Sequence, residues 1–486
     1  MAARRQADLV APDKGPARGA GPTLPLVLLL ALAASDGRAD VTSPAAERDL
    51  ARAIYRELVE INTTDSSGDC TRAAEAMAAR LRAAGLEAAD VQVLGPDPRK
   101  GNLVARLRGT GQRRPLLLLA HLDVVEARRE DWSFDPFVFR EEGGYFYGRG
   151  TSDDKAMAAI FVANLIRYLR EGFRPDRDLV LALTADEEGG SFNGVDWLLT
   201  NHRHLLDAEL ALNEGGGGQT KDGRRIANTV QASEKVFQSF RLEVKNRGGH
   251  SSLPVPDNAI YRLAEGLIRF SRYRFPARLN DVTRLFFERS AATVPEPEAS
   301  DRRAVARIPP DLAAADRLST QPYLNARLRT TCVATLLEGG HAENALPQTA
   351  RATVNCRMLP DEEPERVKAA IVAALADEAI AVTEVAQARP SPPSPVTADV
   401  LSLIERISAS MWPGVPVIPS MSAGATDAVF LRAAGIPVYG VDGIFEDVDD
   451  VRAHGRDERE SVTSFYEGQE FLYRLVKALS SAGGAR

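Results

Sequence analysis

The most constraining feature of this chain is a pair of apolar runs that end abruptly in ionisable residues. "PLLLLAHLD" (115–123) and "LVLALTADEE" (179–188) are near-continuous strand candidates, and "AMAAIFVANLIRYLREG" (156–172) between them has the length of a helix. Strands that are apolar on both faces must be covered on both, so these segments, with "NLVARL" (102–107), point to a parallel sheet between helical layers. In such α/β sheets ligands gather beyond the carboxyl ends of the strands. His121 and Asp123 stand at one such end and Glu187 and Glu188 at another.

At 486 residues the chain exceeds one ordinary core and suits two domains, and 44% hydrophobic with 26% charged residues is a globular balance. "AERDLARAIYRELVEI" and "RAAEAMAARLRAAGL" read as helices, the second closed by Gly85. From about Phe237 the texture changes. "FQSFRLEVKN" alternates like a half-exposed strand, "NAIYRLAEGLIRFSRYR" is an amphipathic helix, and "ARATVNCRML", "EEPERVKAAIVAALADE" and "AIAVTEVA" continue as strand, helix and strand. This suits a small α+β domain with one sheet face covered. The Pro-rich "ARPSPPSP" then reads as a linker. The α/β texture returns with "VLSLIERISAS", "PVIPSMSAGATDAVFLRAAGIPVYGV" and "SFYEGQEFLYRLVKAL". The expected organisation is one α/β domain, residues 46–235 and 392–486, interrupted by an α+β domain at 236–391.

A net charge of −7 with no basic stripe argues against a nucleic-acid partner. Arg4, Arg5, Lys14 and Arg18 precede the apolar run "LPLVLLLALAA" (24–34), which falls short of the ~20 residues that span a bilayer. Gly37 and Ala39 follow, so residues 1–39 read as a secretory leader cleaved before Asp40. The expectation is export to a periplasm or medium with no stable anchor, or a membrane tether if the leader stays. Cys70, Cys332 and Cys356 are too few and too scattered for a disulfide framework or a zinc-thiolate site, and the latter two read as core fillers. Any bound metal would therefore need His and carboxylate ligands.

Such groups recur along the chain. "AHLDVV" sets His121 and Asp123 two apart, on one side of a strand end. "GRGTSDDK" turns on its glycines into Asp153 and Asp154, which also suit the N-cap of the following helix. "TADEEGG" packs Glu187 against Glu188, a costly pairing unless a cation or proton offsets it. "LNEGGGG" brings Glu214 to another strand end, and "RAHGRDERE" places His454 in a polar loop. Each motif alone is weak to moderate.

Taken in order with "NRGGHSS", these motifs resemble the cocatalytic zinc peptidases of family M20, which include carboxypeptidase S, glutamate carboxypeptidase, aminoacylase, carnosinase-type dipeptidases and succinyl-diaminopimelate desuccinylase. The resemblance runs from about Ala46 to the C-terminus. It implies two Zn²⁺ ions, with Co²⁺ or Mn²⁺ as alternatives, bridged by Asp153. His121 and Glu214 would complete one site, and Glu188 and His454 the other. Glu187 would be the general base and Asp123 would orient His121. The inserted domain matches the family's lid or dimerisation domain, and His250 resembles its oxyanion-stabilising histidine, often supplied by a partner subunit. Asn344 in "HAENALP" and Arg357 in "VNCRML" resemble lid residues that orient substrate, and Gly424 and Thr426 in "SAGATDA" resemble the loop that receives its carboxylate.

Two departures stand out. Ala156 replaces a Gly found in many relatives, and residues 274–318 are longer than compact lids, resembling the carboxypeptidase S branch. The implied activity is a carboxypeptidase or dipeptidase acting near a free carboxylate. The alternatives are an N-acyl-amino-acid amidohydrolase and a non-catalytic peptide-binding homologue, against which Glu187 speaks.

Overall fold

A computed structural model of the chain describes residues 43–481; the expected leader and its cleavage point lie outside them. Among the described residues no helix is long and apolar enough to cross a membrane.

The strands Leu116–His121 and Leu179–Thr184 are buried along their whole length. Their alternate residues feed opposite cores. Leu116, Leu118, Leu179, Leu181 and Leu183 pack with the helices Ala45–Glu60, Cys70–Ala83, Lys155–Arg170 and Val462–Leu479. Leu117, Leu119, Val180 and Ala182 pack instead with Val195, Leu198 and Leu431 on the other face. Period-two alternation between two apolar layers is why these runs lack polar interruptions.

The resulting sheet has ten strands. Leu179–Thr184, Leu116–His121, Leu210–Asn213 and Val438–Gly440 form a parallel block at its centre. The strands bordering this block on either side, Asn102–Leu107 and Arg224–Glu234, run antiparallel to it, so the sheet is mixed. Asn102–Leu107, expected among the parallel strands, runs antiparallel both to Leu179–Thr184 and to its hairpin partner Val91–Leu94. Val417–Ser422 lies parallel to Arg224–Glu234.

The chain leaves this sheet after Glu234 and builds a second, four-stranded antiparallel sheet from Val236–Lys245, Thr331–Gly339, Thr349–Met358 and Ile380–Glu384. Phe240, Leu242, Val354 and Cys356 face the helices Ala259–Ser271 and Pro364–Leu375. Thr331–Gly339 is an edge strand whose outer half is exposed. Cys332 and Cys356, read as core fillers, do line this core, and they are also bonded to each other across adjacent strands. They lie 24 residues apart, and only the strand register makes them neighbours.

The helices Asp281–Ser290, Glu298–Val305, Leu312–Leu318 and Pro322–Leu328 lie within the expected insertion by sequence. Their apolar faces, through Phe286, Phe287, Val305 and Leu324, pack with Ala227 and Ile418 of the ten-stranded sheet. The added length over a compact lid thus lies against the larger domain.

Candidate metal centre

The centre forms where the parallel block ends. His121 is the last residue of its strand, Glu187 and Glu188 follow Leu179–Thr184, and Glu214 follows Leu210–Asn213. Asp153 arrives from the turn before the helix Lys155–Arg170, and His454 from the loop between Phe445–Asp447 and Arg459–Ser461. The structure brings all six together.

Asp153 lies between the two imidazoles. Its Oδ1 is 3.0 Å from His121 Nε2 and its Oδ2 is 3.1 Å from His454 Nε2. Glu214 Oε2 is 4.0 Å from His121 Nε2, and Glu188 Oε1 is 2.8 Å from His454 Nε2. Each imidazole therefore has its own second carboxylate, and one aspartate faces both. Ligand atoms of His121, Glu187 and Glu214 lie within 4.8 Å of one another, as do those of His121, Asp153 and Glu188.

Asp123 supports this arrangement in two ways. Its backbone oxygen is 3.0 Å from His121 Nδ1, turning the ring's other nitrogen toward Asp153. Its carboxylate accepts hydrogen bonds from the backbone N–H groups of Glu187 (3.1 Å) and Glu188 (2.9 Å). One residue thus registers two strand ends against each other.

Several supports escape sequence reasoning. Glu458, wholly buried, accepts from the N–H groups of Gly150, Ser152 and Asp153 and pairs with Arg149. Arg149 also donates to the carbonyls of His454 and Gly455, so this pair ties the Asp153 turn to the His454 loop. Lys100 bonds Asp186, whose φ of 60° starts the Glu187 turn. Gly190 curls around Asp186, and a Cβ there would lie 2.2 Å from its Oδ2. Asp427 accepts from Thr184 Oγ1 (3.1 Å) and Asn193 Nδ2 (2.6 Å). Arg149 and Glu458 do sit inside the "GRG" and "HGRDE" motifs, which was the available signal. Asp154 occupies the N-cap position of its helix, but its side chain makes no capping bond.

The electrostatics call for positive charge. Burial, with repulsion from nearby carboxylates, pushes Glu187 up to about 9 and Glu188 up to about 7, and carries Glu214 well above the carboxylate range. Burial also opposes charge on Asp153, yet hydrogen bonds from His121 and His454 hold it below the usual range. Hydrogen bonding to Asp153 lifts His454 to about 9. Burial disfavours a charged His121, but Asp123, Asp153 and the acids around it raise it well above the histidine range. Cations bound among these carboxylates would offset the same repulsion. The ion pairs of Asp153, Glu188 and Glu214 run only to the two imidazoles among the described residues. The nitrogen and oxygen donors thus fit a pair of divalent ions.

The remaining expected residues lie elsewhere. His250 and Asn344 are exposed neighbours on the insertion, where Gly249–His250 pairs with Ala345–Leu346 and the Ser251 N–H donates to the Asn344 carbonyl. His250 Nδ1 is 2.7 Å from Ser252 Oγ. Arg357 lies over the Phe237 ring at 4.9 Å, beside the disulfide. Among the described residues no hydrogen bond joins His250, Asn344 or Arg357 to the carboxylate cluster. Gly424 is exposed on its loop, and Thr426 is anchored to Glu234.

The profile of peptidase family M20/M25/M40 matches residues 117–478. N-fatty-acyl-amino acid synthase/hydrolase PM20D1 of Xenopus tropicalis is 29% identical over 375 residues, covering 75% of this chain and 72% of that protein. Probable carboxypeptidase S-like 2 of Dictyostelium discoideum is 28% identical over 379 residues, covering 75% and 71%. Among solved structures, the M20 family metallo-carboxypeptidase Sso-CP2 from Sulfolobus solfataricus shares the fold with a TM-score of 0.65 at 17% identity, covering 88% of this chain and 98% of that chain.

Proposed function

The chain belongs to peptidase family M20/M25/M40 and is a hydrolase, and from that premise we propose that it cleaves a peptide bond next to a free carboxylate, using a pair of zinc ions. The observation that carries this reading is Asp153 with one carboxylate oxygen toward each histidine. His121 and Glu214 would hold one ion, Glu188 and His454 the other, with Asp153 shared. Bound there, zinc would acidify water and polarise the substrate carbonyl. Asp123 keeps His121 presented through its carbonyl and fixes the Glu187 backbone through its carboxylate. Glu187 takes the proton of the attacking water and passes it to the leaving amine. Its place beside His121 and Glu214 suits that task.

Similarity to a carboxypeptidase S-like protein supports a peptide substrate. Similarity to an N-fatty-acyl-amino acid synthase/hydrolase favours a second reading, an N-acyl amino acid, cleaved by the same groups. Either substrate presents a carboxylate, for which Arg357 and the Gly424 loop are the receivers in this proposal, with His250 steadying the oxyanion and Asn344 the substrate. His250 lies on an exposed bridge outside the cluster, which supports its acting from a second copy of the chain. The edge strand Thr331–Gly339, with Val333 61% and Leu337 70% exposed, offers that copy a pairing surface. The Cys332–Cys356 bond supports an oxidising location, in keeping with an exported protein.

A panel of dipeptides and N-acyl amino acids, assayed with metal analysis, tests this reading. Turnover of free-acid substrates that disappears on chelation and returns with Zn²⁺ is the expected result. Full activity in metal-free enzyme would refute it.

A further inference from the structure

The insertion's two connections to the larger domain meet at one buried carboxylate. Glu234, wholly buried, is the last residue of the strand Arg224–Glu234 before the chain departs. Its Oε2 accepts from both the backbone N–H (3.0 Å) and the hydroxyl (3.1 Å) of Thr426, and from Gln231 Nε2 (3.3 Å). Its Oε1 lies 3.5 Å from Ser391 Oγ and 3.2 Å from Arg432 Nη1. Ser391 belongs to the returning linker. Three residues on, Ser394 donates its N–H to the Ala232 carbonyl (2.8 Å) and accepts from Arg432 Nε (3.1 Å). Departing strand, returning linker and the 423–427 loop are therefore joined through Glu234.

Charge neutralisation alone would need only Arg432, and a buried ion pair by itself is weak support for stability. The two bonds to Thr426 add something else. They commit both of its donors, so Thr426 anchors the loop; the Gly424 N–H is itself held by Ser422 Oγ (3.0 Å), which leaves the exposed residues Ala423 and Ala425 on either side to meet a ligand. Backbone amides bind an anion well only when their direction is set beforehand. On the far side, Asp427 fastens the loop to Thr184 and Asn193, next to the Glu187 turn.

We propose that Glu234 is the positioning residue of the carboxylate-receiving loop, aiming residues 423–425 from the root of the insertion. The inference rests on the loop's role proposed above. The test compares zinc-loaded wild type, Glu234→Gln, Thr426→Val and Thr426→Ser. Each is assayed on Ala-Leu or N-acetyl-leucine, whichever is turned over faster, and on its C-terminal carboxamide.

In the wild type the free acid should be strongly preferred. Glu234→Gln should raise KM for the acid about tenfold with kcat within about threefold, and leave kcat/KM for the carboxamide unchanged, the loss expected for one charged hydrogen-bond acceptor. Thr426→Val should lose the same preference and Thr426→Ser keep it, so the Glu234–Thr426 contact stays open to refutation even if Glu234→Gln does not fold. A discriminating wild type whose variants all keep the preference, or lose both substrates equally, would overturn the positioning role alone. A wild type with no preference for the acid would overturn the loop's proposed role and this inference with it.

Discussion

The larger domain and the insertion hold their chemical groups in opposite ways. At the carboxyl ends of the parallel strands, His121 and Asp123 are 2% and 3% exposed, and backbone amides, a carbonyl and the Arg149–Glu458 pair hold the cluster in place. On the insertion, His250 sits in the open on a two-residue bridge, with exposed Asn344 just before the paired strand. On the function proposed above, the difference teaches that one region is assembled before substrate arrives, whereas the other would supply groups that have to be brought in. Electrostatic catalysis favours the first arrangement wherever charge is concentrated, because fixed groups need not reorganise during the reaction.

The hardest blow to the pre-assembled side is Glu187→Gln. It should lower kcat by about 10²–10⁴-fold while leaving metal content at the wild-type level. Steady-state kinetics with elemental analysis checks both, and near-normal turnover would remove Glu187 from its role. His250→Ala attacks the other side and should cost about 10²–10³-fold in kcat. Co-expression with Asp153→Ala should restore activity that neither variant has alone; no restoration would place His250 in its own subunit's site.

The smallest effect falls on the border. Lys235 is buried at the root of the insertion and donates to the Arg329 carbonyl (2.6 Å) and Thr331 Oγ1 (3.1 Å). Burial pushes it down to about 7, whereas an unfolded lysine titrates near ~10.4. Between those values the unfolded chain binds more protons, so stability should rise as pH increases from 7 toward 10, and the penalty should be complete below 7. Melting curves should show a rise on the order of 2 °C or more, absent in Lys235→Met.

Much of this contrast is legible in the sequence. Apolar strands that break off into His121, Glu187 and Glu188 disclose both the sheet and the end at which its chemistry lies. The alternating pattern of residues 236–245 marks the insertion's one-sided sheet just as directly. The supports are less legible, because Arg149 with Glu458 and Asn193 with Asp427 meet across 309 and 234 residues of chain. No local periodicity encodes such meetings. The helices between 281 and 328 read as part of the lid because periodicity reports an apolar face without naming what covers it. The same limit hid the Cys332–Cys356 bond, which depends on register across two strands.

The hydrogen bond from Ser394 to Ala232 fastens the returning linker beside the departing strand, and this bears on how the chain folds. The larger domain must unite segments separated by the entire insertion, a long loop whose closure is entropically unfavourable and slow. An insertion that folds first brings its own ends together, and the distant segments then behave as near neighbours. The topology thus favours an inserted unit that acts as a clasp, and substitutions in the core of its four-stranded sheet should then slow the assembly of a carboxylate cluster they never touch, which refolding kinetics would read.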